Sequence, residues 1–233
     1  MASFDLQKTN DVMALLATAR ETRDDAWRQA FLAAIVDASM ASKSEQVVRG
    51  PDGFPYFVLV RPPVAESFTP FCVSHILGHC TSSGIGIVVE PTERAADWVF
   101  SYGDLFSLRA YGTFAGDPVD REVETGPKTE VLEAERQIMI GSPSEEFLPT
   151  WARRVIAGFL KSAAKIETPS VCVMADPRRG PSRNLVFNIH PQDFASQEDF
   201  QRVMNMISWF LPAKRACVAL SRGALSPSDF IPL

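Results

Sequence analysis

The sequence lacks long apolar runs. Its longest clean run, Phe31–Val36, is far shorter than the roughly 20 residues that a membrane-spanning helix requires. Residues 1–8 do not combine a basic segment with an apolar one, so we expect no signal peptide. No Asn-x-Ser/Thr glycosylation acceptor occurs. These absences favour a cytoplasmic protein that does not enter a membrane.

Cysteine is scarce, and its spacing fits neither a disulfide framework nor a zinc ribbon. Cys72, Cys80, Cys172 and Cys217 lie in apolar stretches without a C-x-x-C pair, which is typical of reduced, buried thiols. The Walker loop, G-x-S-x-G, H-E-x-x-H and EF-hand signatures are missing, which removes the common enzyme classes and predicts no cofactor. A formal net charge of −5 argues against a general nucleic-acid binder.

The composition is that of a globular protein. The chain has 233 residues, 46% of them hydrophobic and 22% charged, enough for one large domain or two small ones. Hydrophobic periodicity in the first half predicts helices at Ala26–Val36 and Thr69–Cys80 and strands at Tyr56–Val60 and Ile85–Val89. The first half therefore alternates helices and strands.

The second half has the clearest periodicity. Helical stripes surround Phe159 and Phe200, and strand-like runs occur at Arg136–Ile140, Val171–Ala175, Leu185–Ile189 and Cys217–Leu220. The order β-α-β-β-α-β is that of a ferredoxin-like unit, in which two helices cover one face of a four-stranded antiparallel sheet. The whole chain is thus predicted to have an α+β fold.

An acidic, Gly- and Pro-punctuated stretch separates the two halves. Gly116, Pro118, Gly126 and Pro127 interrupt it, and few apolar residues are present. Such composition is typical of a linker. We therefore predict a mixed α/β domain at 1–112, a linker at 113–132 and a ferredoxin-like domain at 133–233.

Short motifs in both halves resemble the SseB-like family. The strand Ile138–Ile140 runs into Gly141-Ser142-Pro143, similar to the start of the C-terminal SseB domain. The helices and strands of the first half, including the strand within Gly84–Pro91, follow the order of the N-terminal SseB domain. The resemblance implies two domains and no established activity.

One segment, Cys72-x-x-His75-x-x-x-His79-Cys80, gathers soft metal ligands. On a helix, Cys72, His75 and His79 fall within about 60° of one another, and two histidines at i and i+4 can share a metal. A tetrahedral zinc would need a fourth ligand, such as His190 or a carboxylate. Buried cysteines beside half-exposed histidines explain the same pattern, so both interpretations stay open.

A predicted turn concentrates arginine. Arg178, Arg179 and Arg183 could grip a phosphate or carboxylate, because a guanidinium offers two parallel donors. A solvated turn explains the same charges. His190 stands at a strand end without a nucleophile near it in sequence, which favours a structural role over a catalytic one.

Strand alternation predicts an interaction face in the second half. Leu185, Phe187 and Ile189 should face the helices, and the opposite side of the sheet should be uncovered. That uncovered face is too apolar for plain solvated surface, so we expect it to contact the N-terminal domain, a second copy of the chain or a protein partner. Its predicted members are Cys172, Met174, Val186, Asn188 and His190.

Two classes of function remain open at this point. One is a non-enzymatic protein-binding or adaptor module, which the missing catalytic motifs favour. The other is a ligand-binding protein or enzyme that uses a cleft between the domains.

Overall fold

The computed structural model describes residues 5–63, 66–93, 95–114, 138–176, 183–213 and 215–233. The chain divides into two compact units, Met1–Leu105 and Phe106–Leu233. Helices and two mixed sheets are present, which confirms the α+β class. The predicted linker at 113–132 lies almost wholly outside the described residues, and the division between the units falls just ahead of it.

Unit 1 begins with two capped helices. Asp24 accepts a hydrogen bond from the backbone N–H of Trp27 at 2.8 Å, which satisfies one of the amides left unpaired at a helix start. The described helices and strands, in chain order, are α1 (Leu6–Leu16), α2 (Asp25–Ile35), β1 (Val47–Arg49), β2 (Pro55–Leu59), α3 (Val73–Ser83), β3 (Gly86–Val89), β4 (Trp98–Phe100) and α4 (Tyr102–Tyr111), whose second half belongs to unit 2.

The sheet of unit 1 has the order β1-β2-β3-β4. β1 and β4 pair antiparallel with their neighbours, whereas β2 and β3 run parallel and are connected by α3. Phe31 of α2 lies 5.2 Å from Trp98 and 6.4 Å from Phe100, measured between ring centroids, so α2 packs on the sheet. Because β2 and β3 are parallel, the residues that follow Leu59 and Val89 meet at one edge of the sheet.

Unit 2 contains the second sheet. Ser196 caps its last helix, because its Oγ accepts a hydrogen bond from the backbone N–H of Asp199 at 3.0 Å. The described helices and strands are β5 (Met139–Gly141), α5 (Thr150–Ala163), β6 (Ser170–Ala175), β7 (Arg183–Phe187), α6 (Gln197–Ser208), β8 (Cys217–Val218) and β9 (Ile231–Pro232).

The strand order of unit 2 differs from the ferredoxin-like expectation. The predicted element order is present as β5-α5-β6-β7-α6-β8, but the sheet order is β5-β6-β7-β8, with β9 also on β6. A split βαβ unit places another strand between the two that a helix connects. Here β5 and β6 pair directly and antiparallel. The ferredoxin-like arrangement is therefore not confirmed.

The two units share a topological pattern that the sequence does not display as a repeat. Each contains a helix, an antiparallel strand pair, a second helix and a strand that joins the sheet in parallel. In unit 1 these are α2-β1-β2-α3-β3, and in unit 2 they are α5-β6-β7-α6-β8.

Candidate functional site

Three side chains of the predicted interaction face lie together in unit 2. Cys172 pairs with Val186 across β6 and β7, and Met174 lies two residues along β6 on the same side. They form one buried cluster, with exposed fractions of 0% for Cys172, 9% for Met174 and 1% for Val186. The three side chains therefore lie on one face of the sheet.

This face is covered by the chain itself. Leu225 and Phe230 pack against the cluster, and β9 pairs with the first residues of β6. The backbone N–H of Leu233 donates to the carbonyl oxygen of Pro169 at 3.0 Å and holds the end of this cover in place. The structure thus differs from the expected uncovered face, because a segment without visible strand periodicity supplies the missing layer.

The same face continues past the cover onto β5. Ile140 pairs with Met174 and therefore lies on the side of the buried cluster, yet 40% of Ile140 is exposed. Its neighbour Met139 lies on the opposite side of the strand and is 65% exposed. We call these two residues the apolar margin. Among the described strands, β5 lies at one end of the sheet order, and all three of its residues are exposed.

Asn188 and His190 are the polar members of the predicted face. Their side chains contact backbone atoms of neighbouring segments at hydrogen-bond distance. The Asn188 side chain accepts a hydrogen bond from the N–H of Ser170 at 2.7 Å and donates one to the carbonyl oxygen of Thr168 at 2.9 Å. Nδ1 of His190 lies 3.0 Å from the carbonyl oxygen of Leu220. Both contacts hold segments that flank the sheet.

The predicted metal ligands do not converge. Cys72 is the N-cap of α3 and is 2% exposed, and its Sγ lies 3.5 Å from the carbonyl oxygen of Asp37. Burial raises the pKa of this thiol. His75 and His79 are exposed on α3. Within the described ranges, no three His, Cys, Asp or Glu side chains are grouped so that they could hold a metal ion.

A charged pair that the sequence did not reveal lies near Cys72. Nζ of Lys8 lies 2.5 Å from Oδ2 of Asp37. This hydrogen bond raises the pKa of Lys8 and lowers the pKa of Asp37. A further hydrogen bond from Ser74 and the positive charge of His75 lower the pKa of Asp37 as well. The pair ties α1 to the segment that follows α2.

Only one of the three arginines predicted to bind an anion falls in the described residues. Arg178 and Arg179 lie outside them. Arg183 begins β7, and its guanidinium carbon lies 5.4 Å from the ring centroid of Phe147, a cation–π contact. This contact gives Arg183 a packing role, and an anion site at the turn stays a prediction.

A charged cluster that the sequence analysis missed lies where β2 and β3 end. Arg61 follows β2 by two positions, and Glu90 directly follows β3. We call the whole group the arginine cluster, and its members are Arg20, Arg23, Arg61, Glu90 and Asp97. The only signal in the sequence was the position of Arg61 and Glu90 after two strands that proved to be parallel.

Arg23 is the buried member of the arginine cluster. Its side chain is 10% exposed, and its guanidinium carbon lies 4.5 Å from the ring centroid of Trp27. It donates to Oδ1 of Asp97 at 3.1 Å and to the carbonyl oxygen of Leu16 at 3.3 Å. Arg23 therefore connects the end of α1 to the sheet, which is a structural role.

Arg20 and Arg61 are the accessible members, and 47% of each side chain is exposed. Nε of Arg20 lies 3.2 Å from Oδ1 of Asp97. The Arg61 guanidinium lies 3.9 Å from Asp97 and 3.8 Å from Glu90, too far for a direct charge-assisted hydrogen bond. Each guanidinium thus combines a contact to Asp97 with partial exposure of its side chain.

Glu90 has an unusual backbone conformation. Its φ is 50°, in the left-handed region that costs a residue with a side chain about 1–2 kcal/mol. Its carboxylate accepts a hydrogen bond from the backbone N–H of Arg61, which holds the two strand ends together. A strained residue of this kind is found more often at binding sites than elsewhere.

Among the described residues, no helix is both long and apolar enough to cross a bilayer.

The comparisons with known proteins found no match. The sequence matches no family model, no curated protein and no solved structure. The SseB-like resemblance accordingly stays a prediction from the sequence motifs.

Proposed function

We propose that this chain is a non-enzymatic protein-binding or adaptor module, and that it takes its partner along the β5 edge. The observation that carries the proposal is the apolar margin, in which Met139 and Ile140 are 65% and 40% exposed on an edge strand. An edge strand offers backbone donors and acceptors to a further strand, and neighbouring apolar side chains give such pairing specificity.

The apolar face behind the margin supports the same function. Ile140 is continuous with the buried cluster through its pairing with Met174, so an added strand could extend an existing core. A protein partner or a second copy of the chain can supply such a strand. The five predicted interaction residues would then not contact the partner directly. They would stabilise the sheet to which the apolar margin belongs.

The broader assignment rests on sequence. We propose membership of the SseB-like family from the Ile138–Pro143 and Gly84–Pro91 motifs, with a ferredoxin-like relationship limited to the element order. A reducing, cytoplasmic setting is supported by the free thiols of all four cysteines. The net charge of −5 supports a partner other than nucleic acid.

The test compares a charged double variant on β5 with a charged variant at an exposed apolar residue of unit 1. Partners captured by the tagged chain from its native cell are identified by mass spectrometry, and self-association is measured by light scattering. The double variant Met139→Lys/Ile140→Lys should lose the captured partner or the dimer. Val99→Lys is the control, because Val99 is 47% exposed on β4, which lies at one end of the strand order of unit 1. Equal capture and mass for all three proteins would overturn the proposal.

A further inference from the structure

The arginine cluster carries guanidinium donors that no atom of the described residues accepts. Among the described residues, the terminal amines of Arg20 and Nη1 of Arg61 donate no hydrogen bond to a protein atom. We propose that Arg20 and Arg61 bind one carboxylate group of a ligand between them. All residues of this site belong to unit 1, whereas β5 belongs to unit 2.

The positions of the two guanidiniums favour a shared ligand. Both approach the carboxylate of Asp97, Arg20 at Oδ1 and Arg61 at Oδ2, at 3.2 and 3.9 Å. Asp97 therefore holds the two side chains next to each other while each remains half exposed. A guanidinium presents parallel N–H groups that match the two oxygens of a planar carboxylate.

The charge of the cluster selects a singly charged ligand group. Three guanidiniums face two carboxylates, those of Glu90 and Asp97, which leaves one positive charge uncompensated. One carboxylate neutralises that charge. A doubly charged phosphate would leave a negative site beside Glu90 and Asp97, which like-charge repulsion disfavours.

The arginine cluster lies at the carboxyl ends of two parallel strands. Arg61 and Glu90 follow the parallel strands β2 and β3, and ligands of sheets with parallel strands bind outside the carboxyl ends of those strands. The left-handed backbone of Glu90 is retained at this same point. Backbone strain of the kind seen at Glu90 occurs preferentially at binding sites, and here it lies beside the guanidinium donors of Arg61.

The experiment titrates the whole chain with acetate at constant ionic strength. The Nε–H resonances of the arginines and the indole resonances of Trp27 and Trp98 report binding by NMR. We expect saturable shifts, and a dissociation constant raised by about tenfold or more in Arg20→Gln/Arg61→Gln. Arg49→Gln is the matched control, because Arg49 is an exposed arginine of unit 1 that donates to the carbonyl oxygen of Gly53 instead.

The remaining titrations identify the carboxylate and its source. Arg61→Lys keeps the charge but loses the paired donors, so it should also weaken acetate binding. N-acetylglycine should bind and its uncharged amide should not. A short peptide that binds at least about tenfold tighter than acetate through its free C-terminus indicates a protein ligand, and equal affinity indicates a small organic acid. Linear shifts, unchanged binding by the double glutamine variant, or tighter binding of inorganic phosphate would each overturn the proposal.

Discussion

The Lys8–Asp37 pair makes the stability of unit 1 depend on pH, with one limit in acid and one in base. The hydrogen bond lowers the folded-state pKa of Asp37 below 3.8 and raises that of Lys8 above 10.5. The stabilisation by Asp37 is present above pH 3.8 and is lost as the pH falls through its lowered pKa. The stabilisation by Lys8 is present below pH 10.5 and is lost as the pH rises through its raised pKa.

Asp37→Asn should therefore lower the Tm of the chain slightly, by the same amount throughout the range between these two limits. Below the lowered pKa of Asp37 and above the raised pKa of Lys8, the wild type loses the advantage and the two Tm values should converge. Circular dichroism melting curves across the pH range measure both. A Tm difference that persists unchanged in strong acid would show that the substitution acts through packing instead.

At the scale of elements, Gly86 allows β3 to approach its neighbours closely. A Cβ there would lie 2.7 Å from the carbonyl oxygen of Phe100 on β4 and 2.7 Å from the Tyr56 ring on β2. Gly86→Ala should destabilise unit 1 by about 1–3 kcal/mol in urea unfolding. Gly78→Ala is the control, because a Cβ at this position of α3 meets nothing within 4 Å, and it should stabilise by about 0.5–1 kcal/mol. Equal stability of Gly86→Ala and wild type would contradict the close approach.

Helices and strands with a clear hydrophobic pattern of their own could be predicted from the sequence. Those whose bounds depend on pairing with a distant strand could not. The strand predicted at Val171–Ala175 is found as β6, Ser170–Ala175, because its continuous run of apolar residues is a local signal. The predicted helix at Thr69 begins instead at Val73, because Phe71 is held extended by a bridge to Met40. β1 and β9 were missed, since β1 ends in Arg49 and β9 in Pro232, and neither short segment shows a strand pattern apart from the strand it pairs with.

The same distinction explains the candidate sites. Alternation along β6 places Cys172 and Met174 on one side of their strand, because that pattern is local, whereas their alignment with Val186 is set by the pairing of β6 with β7. The cover by Leu225 and Phe230 and the meeting of Arg20 with Asp97 are tertiary contacts between residues far apart in the chain. Spacing along the sequence carries no trace of such contacts.

At the scale of the whole molecule, the alkylation rates of two buried thiols measure the protection of unit 1 and of unit 2 separately. Burial raises the pKa of Cys80 in unit 1 to about 12 and that of Cys172 in unit 2 to about 11, so both are protonated and unreactive at neutral pH. A chain that ends at Leu220 lacks Leu225, Phe230 and β9. Alkylation of Cys172 should become much faster in this chain, while Cys80 should stay protected.

Peptide mass spectrometry after a timed iodoacetamide pulse measures both rates in one sample. Phe230→Ala is the milder variant and should give an intermediate rate at Cys172. If Cys80 is labelled as quickly as Cys172, the truncation has unfolded more than the cover. If neither variant changes the rate at Cys172, the cover does not protect the face.

The cover follows in sequence the strands that it protects, and this order has a consequence for synthesis. Val186 leaves the ribosome 44 residues before Phe230, a delay of about 2–9 s at the usual rates of translation. During that interval the Cys172, Met174 and Val186 face has no layer over it. Unit 2 can therefore bury this face only after the residues around Phe230 have been synthesised.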